Sequence, residues 1–315
     1  MMETFLGIEI GGTKLQLVAG NGLGEIIECR RLSVVSKEGA KGIRKQIEQN
    51  LPELVRKHKP SAIGVGFGGP VDWKTGKICR SHQIEGWSEF DLAGWLQPFS
   101  GMPAVVDNDG NVAALGEATH GAGKGLNPVF YVTLGSGVGG GLVLDGKIYH
   151  GATLGESEIG HLRLDRRGTT VESRCSGWAV DKRIRDVAGG EPHSLLAKLA
   201  ARTAGAEAAH LAAALLESDA AAKRILAETS EDLAFALSHA VHLFHPEVIV
   251  MGGGLSKLGE PLRNAVQNAL GGFIMDAFAP GPSIVLSILQ EHAVPVGALI
   301  LAAQVGIAEP LRAPA

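Results

Sequence analysis

Cysteine is scarce: Cys29, Cys79 and Cys175 are the only three in 315 residues, and they stand far apart with no CxxC pair. A disulfide framework or a cysteine-rich metal site is therefore disfavoured, and a reducing cytoplasm is the expected setting. Runs of one charge are missing as well. The 29 Lys and Arg residues are interspersed with 33 Asp and Glu, for a formal net charge of -4, which leaves no footprint for nucleic acid or an anionic membrane. No long apolar run is free of turn residues. Gly125 to Leu144 is uncharged and long enough to span a bilayer, yet it holds six glycines, Asn127 and Pro128, a strand-turn-strand composition. The opening MMETFLGIEI has no basic region and meets Glu9 early, so it reads as a first strand in place of a signal peptide. No low-complexity linker interrupts the chain.

What is present is enough apolar material, 45% of residues, for a large core and, at this length, two domains. Phe5 to Ile10 reads as a strand, GGT as its turn, and Leu15, Leu17 and Ala19 as an alternating return strand that ends at Asn21-Gly22. Ile26 to Val35 follows as a third strand, Gly39 to Lys57 as a helix with Ile43, Ile47, Leu51 and Val55 on one face, and Ser61 to Phe67 as another strand. Val129 to Tyr149 repeats the plan: strand, glycine turn with Ser136, strand, Asp145-Gly146 turn, strand. The pattern is α/β with an internally duplicated β-β-β-α-β unit. Downstream, Trp178 to Gly189 and two or three segments within Leu195 to Phe244 read as helices, Glu247 to Met251 and Ser283 to Leu289 as strands, and Val296 to Val305 as an apolar helix that folds back on the first half. Trp73 to Trp95 is rich in turn residues, and Trp87 and Trp95 suit core packing better than a sugar-facing role. His239, His242 and His245 recur at a spacing of three, but a helix C-terminus before Pro246 accounts for them without a metal.

Chemistry concentrates at the turns. VDNDGNVAALGE, Val106 to Glu117, runs a strand straight into a helix and leaves carboxylates at the junction. Asp109 is expected to be the N-cap of that helix and is the catalytic candidate, since the uncovered N–H groups of a helix start favour a carboxylate that can accept from a substrate hydroxyl. Capping alone also explains an Asp there. The turns Gly11-Gly12-Thr13-Lys14 and Gly135-Ser136-Gly137 can bare backbone N–H groups to phosphate oxygens, with the Thr13 and Ser136 hydroxyls and the Lys14 ammonium as further donors; tight hairpins also use glycine for steric reasons. One such turn in each half points to a nucleotide more strongly than either turn by itself. Gly68-Gly69-Pro70 forms another loop at a strand end, and Gly252-Gly253-Gly254 closes a buried strand where adenine and ribose can lie. In GESEIGHLRL, the residues Glu156, Glu158 and His161, with Glu172 beyond, can hold the hydroxyls of a polar ligand or a metal, or form a solvated loop.

Taken in order, GIEIGGTK, NDGN, TLGSGVGGG, ESEIGH and IVMGGG resemble the motifs of the ROK sugar kinases, relatives of hexokinase, actin and the heat-shock ATPases, and the resemblance covers essentially the whole chain. It implies a two-lobed actin-like (ribonuclease H-like) ATPase fold with a cleft between the lobes, the smaller lobe from 1–118 plus 292–315 and the larger from 119–291. It implies an ATP- and Mg2+-dependent kinase acting on the 6-hydroxyl of a hexose, in a cytoplasmic homodimer, with Asp109 as base. Glucose is the first expectation; fructose, mannose and N-acetylated hexosamines follow, with selectivity set near Gln83, Glu85 and Trp87. Gly69, Asn108, Glu158, His161 and Glu172 are then the sugar-binding residues, Gly11, Gly12, Thr13, Lys14, Gly135, Ser136 and Gly137 the phosphate-binding ones, and Gly252, Gly253 and Gly254 the adenosine platform. Two departures follow from the same resemblance. Glu9 stands where the family has Asp, so its carboxylate reaches Mg2+ from a different distance, directly or through water. RLDRRGTTVES replaces the cysteine-bearing zinc segment of many members, so no structural zinc is expected and another group must orient His161. A repressor of the same family needs a DNA-binding segment ahead of Gly7, and Asp109 weighs against a non-catalytic sugar sensor. The adenosine-like GGG turn favours a nucleotide over polyphosphate as donor.

Overall fold

A computed structural model of the chain describes residues 2–79, 84–152, 157–201 and 203–305. The first apolar run forms β1 (Thr4–Ile10), which folds back as β2 (Lys14–Asn21) and β3 (Ile26–Ser33) before α1 (Gly39–His58) and β4 (Ile63–Phe67). The short strands β5 (Val71–Asp72), β6 (Lys77–Ile78) and β7 (Phe90–Asp91) form a small sheet, followed by α2 (Leu92–Ser100), β8 (Ala104–Asn108) and α3 (Asp109–His120). The second half opens with β9 (Val129–Leu134), β10 (Val138–Leu144) and β11 (Lys147–Ile148). It continues through α4 (Val171–Cys175), α5 (Gly177–Gly190), α6 (Leu195–Ala200), α7 (Leu211–Leu216) and α8 (Ala220–Phe244). It closes with β12 (Val248–Gly252), α9 (Glu260–Leu270), β13 (Ser283–Leu286) and α10 (Ala293–Val305).

The two main sheets have the strand orders β3-β2-β1-β4-β8 and β11-β10-β9-β12-β13. In each, three successive strands are laid outward from the centre and two later strands are added on the other side, so the duplication expected from sequence is present. β2 is antiparallel to β1 and β3, while β4 runs parallel to β1 and β8. β12 likewise runs parallel to β9 and β13. The Asp145-Gly146 turn joins β10 to β11 with φ of 51° and 71°, the left-handed pair that a two-residue hairpin loop demands.

The chain divides into two compact units. One comprises Met1–Gly125, Gly141–Ser157 and Glu291–Ala315; the other comprises Leu126–Gly140 and Glu158–Gln290. In the first unit, β2 is buried along almost its whole length and does not alternate as expected. The reason is a helix on each face: Leu15, Leu17 and Ala19 pack with Ile43, Ile47 and Leu51 of α1, and Val18 packs with Leu299 and Ala302 of α10. Only the edge strand β3 keeps the in-out pattern. α10 is apolar nearly all round and buried at Ala293 and from Pro295 to Ala302, as a short helix enclosed by protein should be. It lies on α3, β1 and β4, the return to the first half that the sequence predicted. α2 begins inside the stretch read as turns; Gly94 and Pro98 hide it, and Asp91 caps it by accepting from Gly94 N at 2.9 Å. Among the described residues no helix is long and apolar enough to cross a membrane.

Candidate active site

In the first unit β8 passes into α3 with no intervening loop. The N-cap is Asn108, not Asp109: Asn108 is extended (φ -62°, ψ 142°), and its Oδ1 accepts from Gly110 N at 2.8 Å and Asn111 N at 3.3 Å. Asp109 is the first helical residue. A Cβ placed on Gly68 would lie 3.4 Å from both Asp109 Oδ2 and Ile10 O, and 3.7 Å from Gly11 Cα. The carboxylate thus stands where the C-terminal ends of the parallel strands β1, β4 and β8 meet, the place where open α/β sheets bind ligands. The Nδ2 group of Asn108 donates to Gly69 O at 3.2 Å, which ties the loop after β4 to this junction. The first glycine turn is closed by Gly11 N donating to Lys14 O at 2.9 Å, and Val34 N donates to Thr13 O.

In the second unit the corresponding turn is closed by Gly135 N donating to Gly137 O, and Gly177 N at the start of α5 donates to Gly135 O. Three expected sugar residues gather at the first residue of β10. Glu172 Oε2 accepts from Val138 N at 3.0 Å and lies where a side chain on Gly137 would be. Glu158 and His161 share a single 3-10 turn whose Gly160 presses on Val138 O so closely that a Cβ would overlap it. Both are exposed, with His161 Nε2 3.9 Å from Glu158 Oε2. Of the three glycines that end and follow β12, Gly252 lies under the Tyr131 ring, and Gly253 has φ of 85° with Leu134 backbone 2.6 Å from any added Cβ. Packing alone requires those two. Gly254 has nothing within 4 Å and is the one with room for a ligand.

A sequence model of the ROK family matches residues 5–305. The chain belongs to the ROK family. Among its relatives, a glucokinase of Halalkalibacterium halodurans is 29% identical over 307 residues, 93% of each chain, and a glucokinase of Thermotoga maritima is 28% identical over 301 residues, 93% of this chain and 95% of that one. The crystal structure of a ROK family glucokinase from Streptomyces griseus in complex with glucose and AMPPNP superposes with a TM-score of 0.84 at 28% identity, covering 96% of this chain and 99% of that one.

The two departures from the ROK pattern now have a structural reading. Glu9 Oε1 pairs with Lys14 Nζ at 2.9 Å, and Glu9 Oε2 accepts from Gln16 Nε2 at 2.6 Å. Gln16, 1% exposed, also donates to Glu291 O at 3.1 Å, which fixes the carboxylate from behind. In place of a cysteine-bearing segment, Asp165 accepts from Arg167 N, Thr169 N and the Thr169 hydroxyl at 2.7, 3.1 and 2.7 Å. That hydroxyl bond is the main reason the Asp165 carboxyl sits below the usual carboxylate range. A Thr170-Ser173 capping box then starts α4 and presents Glu172. Arg174 anchors the helix to Asp232 at 2.7 Å, and Arg183 donates to Arg174 O and to the Thr229 hydroxyl, each at 2.6 Å. Burial pushes the adjoining Cys175 thiol up to about 12, so it is an inert core residue.

Other expectations fall outside the site. Trp87 is 1% exposed and edge-on to Phe67 and Phe90, so it is core. Glu85 contributes its carbonyl to Ala40 N. Gln83 and Glu156 lie outside the described residues. His239 bonds Phe235 O, His242 accepts from Met275 N, and His245 stacks on Phe278; among the described residues no group of three metal-ligating side chains occurs. Sequence reasoning missed Gln16, which looked like one polar residue in a strand, and also missed Asp107, His150 and Trp73, whose association spans distant segments.

Proposed function

We propose that this chain is an ATP-dependent sugar kinase that transfers the γ-phosphate to the 6-hydroxyl of a hexose, with glucose as the first substrate. The observation that carries the reading is the position of Asp109 at the ends of β1, β4 and β8, beside a glycine turn, in a ROK chain related to glucokinases along nearly its full length. Phosphoryl transfer asks for positioning and charge neutralisation more than for covalent chemistry. In this reading Asp109 accepts the proton of the attacking hydroxyl. Asn108 has used its carbonyl on the cap and one N–H on Gly69 O, so its second N–H is the donor left for a neighbouring hydroxyl. Glu158, His161 and Glu172 hold other hydroxyls. The backbone N–H groups of the two glycine turns other than those of Gly11 and Gly135, which close the turns, serve the phosphates together with Thr13, Ser136 and Lys14, and the open side of Gly254 supports the adenosine.

Mg2+ suits this donor set through water. Both Glu9 oxygens already accept from Lys14 and Gln16, yet a carboxylate has about four lone-pair sites, which leaves room for a metal-bound water but favours no direct bond. The ion, when bound, supplies charge neutralisation at the phosphates. A cytoplasmic homodimer completes the proposal. The test is ADP release from ATP and Mg2+ with glucose, fructose, mannose, N-acetylglucosamine and N-acetylmannosamine. Turnover strongest on glucose supports the full reading; strongest turnover on another sugar replaces glucose; none on any sugar contradicts the kinase.

A further inference from the structure

Asp107 ends two residues short of Asp109 in β8 and is 2% exposed. Its Oδ1 accepts from Asn108 N at 2.7 Å and from Asn111 Nδ2 at 3.0 Å, both in the turn that opens α3. Its Oδ2 lies 2.6 Å from Nε2 of His150, a residue 43 positions further on whose side chain is only 16% exposed. The imidazole stacks on the indole of Trp73 with centroids 4.1 Å apart and 14° between the planes. Trp73 in turn follows β5, just beyond the loop whose Gly69 carbonyl accepts from Asn108. Three segments of the first unit therefore converge on one part-buried cluster: the turn after β5, the turn that carries Asp109, and the chain that leaves β11.

The cap of α3 is made by Asn108 without His150, so the histidine is not needed to start that helix. It gives the buried carboxylate a partner, and removing one partner of a buried charged hydrogen bond exposes the desolvation penalty of the other. We propose that His150 and Asp107 are positioning residues for phosphoryl transfer, a joint that holds the chain leaving β11 against the Asp109 turn so that the Asp109 carboxylate meets the acceptor hydroxyl in line. Neither touches a reacting atom. The inference rests on the kinase reading above.

The test separates the bond from the stack. His150→Phe keeps an aromatic face on Trp73 and removes the donor, whereas His150→Gln keeps a donor and removes the ring. Steady-state kinetics with sugar and ATP varied separately, and melting temperatures, are measured for both variants and for Asp107→Asn. The expected result is a fall of roughly ten- to a hundredfold in kcat/KM for sugar in His150→Phe, an ATP KM within about twofold of wild type, and recovery of most of the loss in His150→Gln. His150→Phe with wild-type sugar kinetics overturns the proposal, as does an equal loss towards sugar and ATP that tracks melting temperature in both His150 variants. If His150→Phe does not fold, Asp107→Asn decides: a selective loss towards sugar supports the joint, and wild-type sugar kinetics overturns it. A wild-type chain without turnover on any sugar removes the kinase reading and this inference with it, an outcome distinct from active wild type with unaffected variants.

Discussion

Asn108 and Asp109 are both able to cap α3, but only Asp109 carries a carboxylate that can accept a proton. Asp and Asn are nearly equal as N-caps, so residue type alone does not tell which of two adjacent ones caps; the backbone decides, and Asn108 is the one left extended. The Asp109 turn was thus legible in sequence as a strand-to-helix junction, while its cap was placed one residue too late. Glu9 shows the same limit. Its departure from the family was visible, but its ties to Lys14 and Gln16 are cross-strand contacts that only the β1-β2 register creates. A further charged group makes a prediction at this scale. Glu28 on β3 accepts from Lys57 at 2.6 Å and meets His58 at 2.8 Å and Arg30 at 3.1 Å. The Lys57 hydrogen bond first, then that of His58, lowers its carboxyl from 4.5 to about 2. A depressed folded-state pKa means a contribution to stability that is present above pH 4.5 and lost as pH falls towards 2. Wild type should therefore melt above Glu28→Gln at pH 6, with the gap closing between pH 4.5 and 2; a gap independent of pH contradicts the assignment.

At the scale of elements, α10 is seated by missing side chains. A Cβ on Gly297 would overlap Val112 O of α3, one on Gly116 would overlap Ala293 O, and one on Gly64 of β4 would overlap Ala298 O. Backbone therefore meets backbone on two sides of the helix, and no rotamer change relieves an added methyl group. Gly297→Ala is expected to lower stability by about 1–3 kcal/mol or more, read as a shift in the denaturation midpoint of the first unit; an unchanged midpoint would show that α10 is not packed this closely. The helix itself and its return to the first half were legible because its apolar residues are continuous. The double burial of β2 and the start of α2 were not. An apolar strand reads the same with one helix against it as with two, and Gly94 and Pro98 look like turn residues until Asp91 caps a helix ahead of them.

For the whole chain, the duplicated strand order was readable from two copies of strand, glycine turn and strand. The local arrangement of Glu158, His161 and Glu172 about Val138 was not, because it depends on a turn with no equivalent among the motifs. That turn is held by Asp165 and the Thr170-Ser173 box through side-chain-to-backbone hydrogen bonds that need no metal. Purified protein should accordingly contain no stoichiometric zinc by elemental analysis and keep its melting temperature in a chelator; one zinc per chain would contradict this.

The most direct test of the central claim is ADP release by Asp109→Asn beside wild type, on the sugar that wild type phosphorylates best, with the sugar-induced rise in melting temperature followed in parallel. Turnover is expected to fall by at least roughly a hundredfold, the range for loss of a general base, while the sugar-induced rise persists, since binding depends on other groups. An Asp109→Asn protein that releases ADP at the wild-type rate would contradict the assignment of Asp109 as the base and the reading built on it.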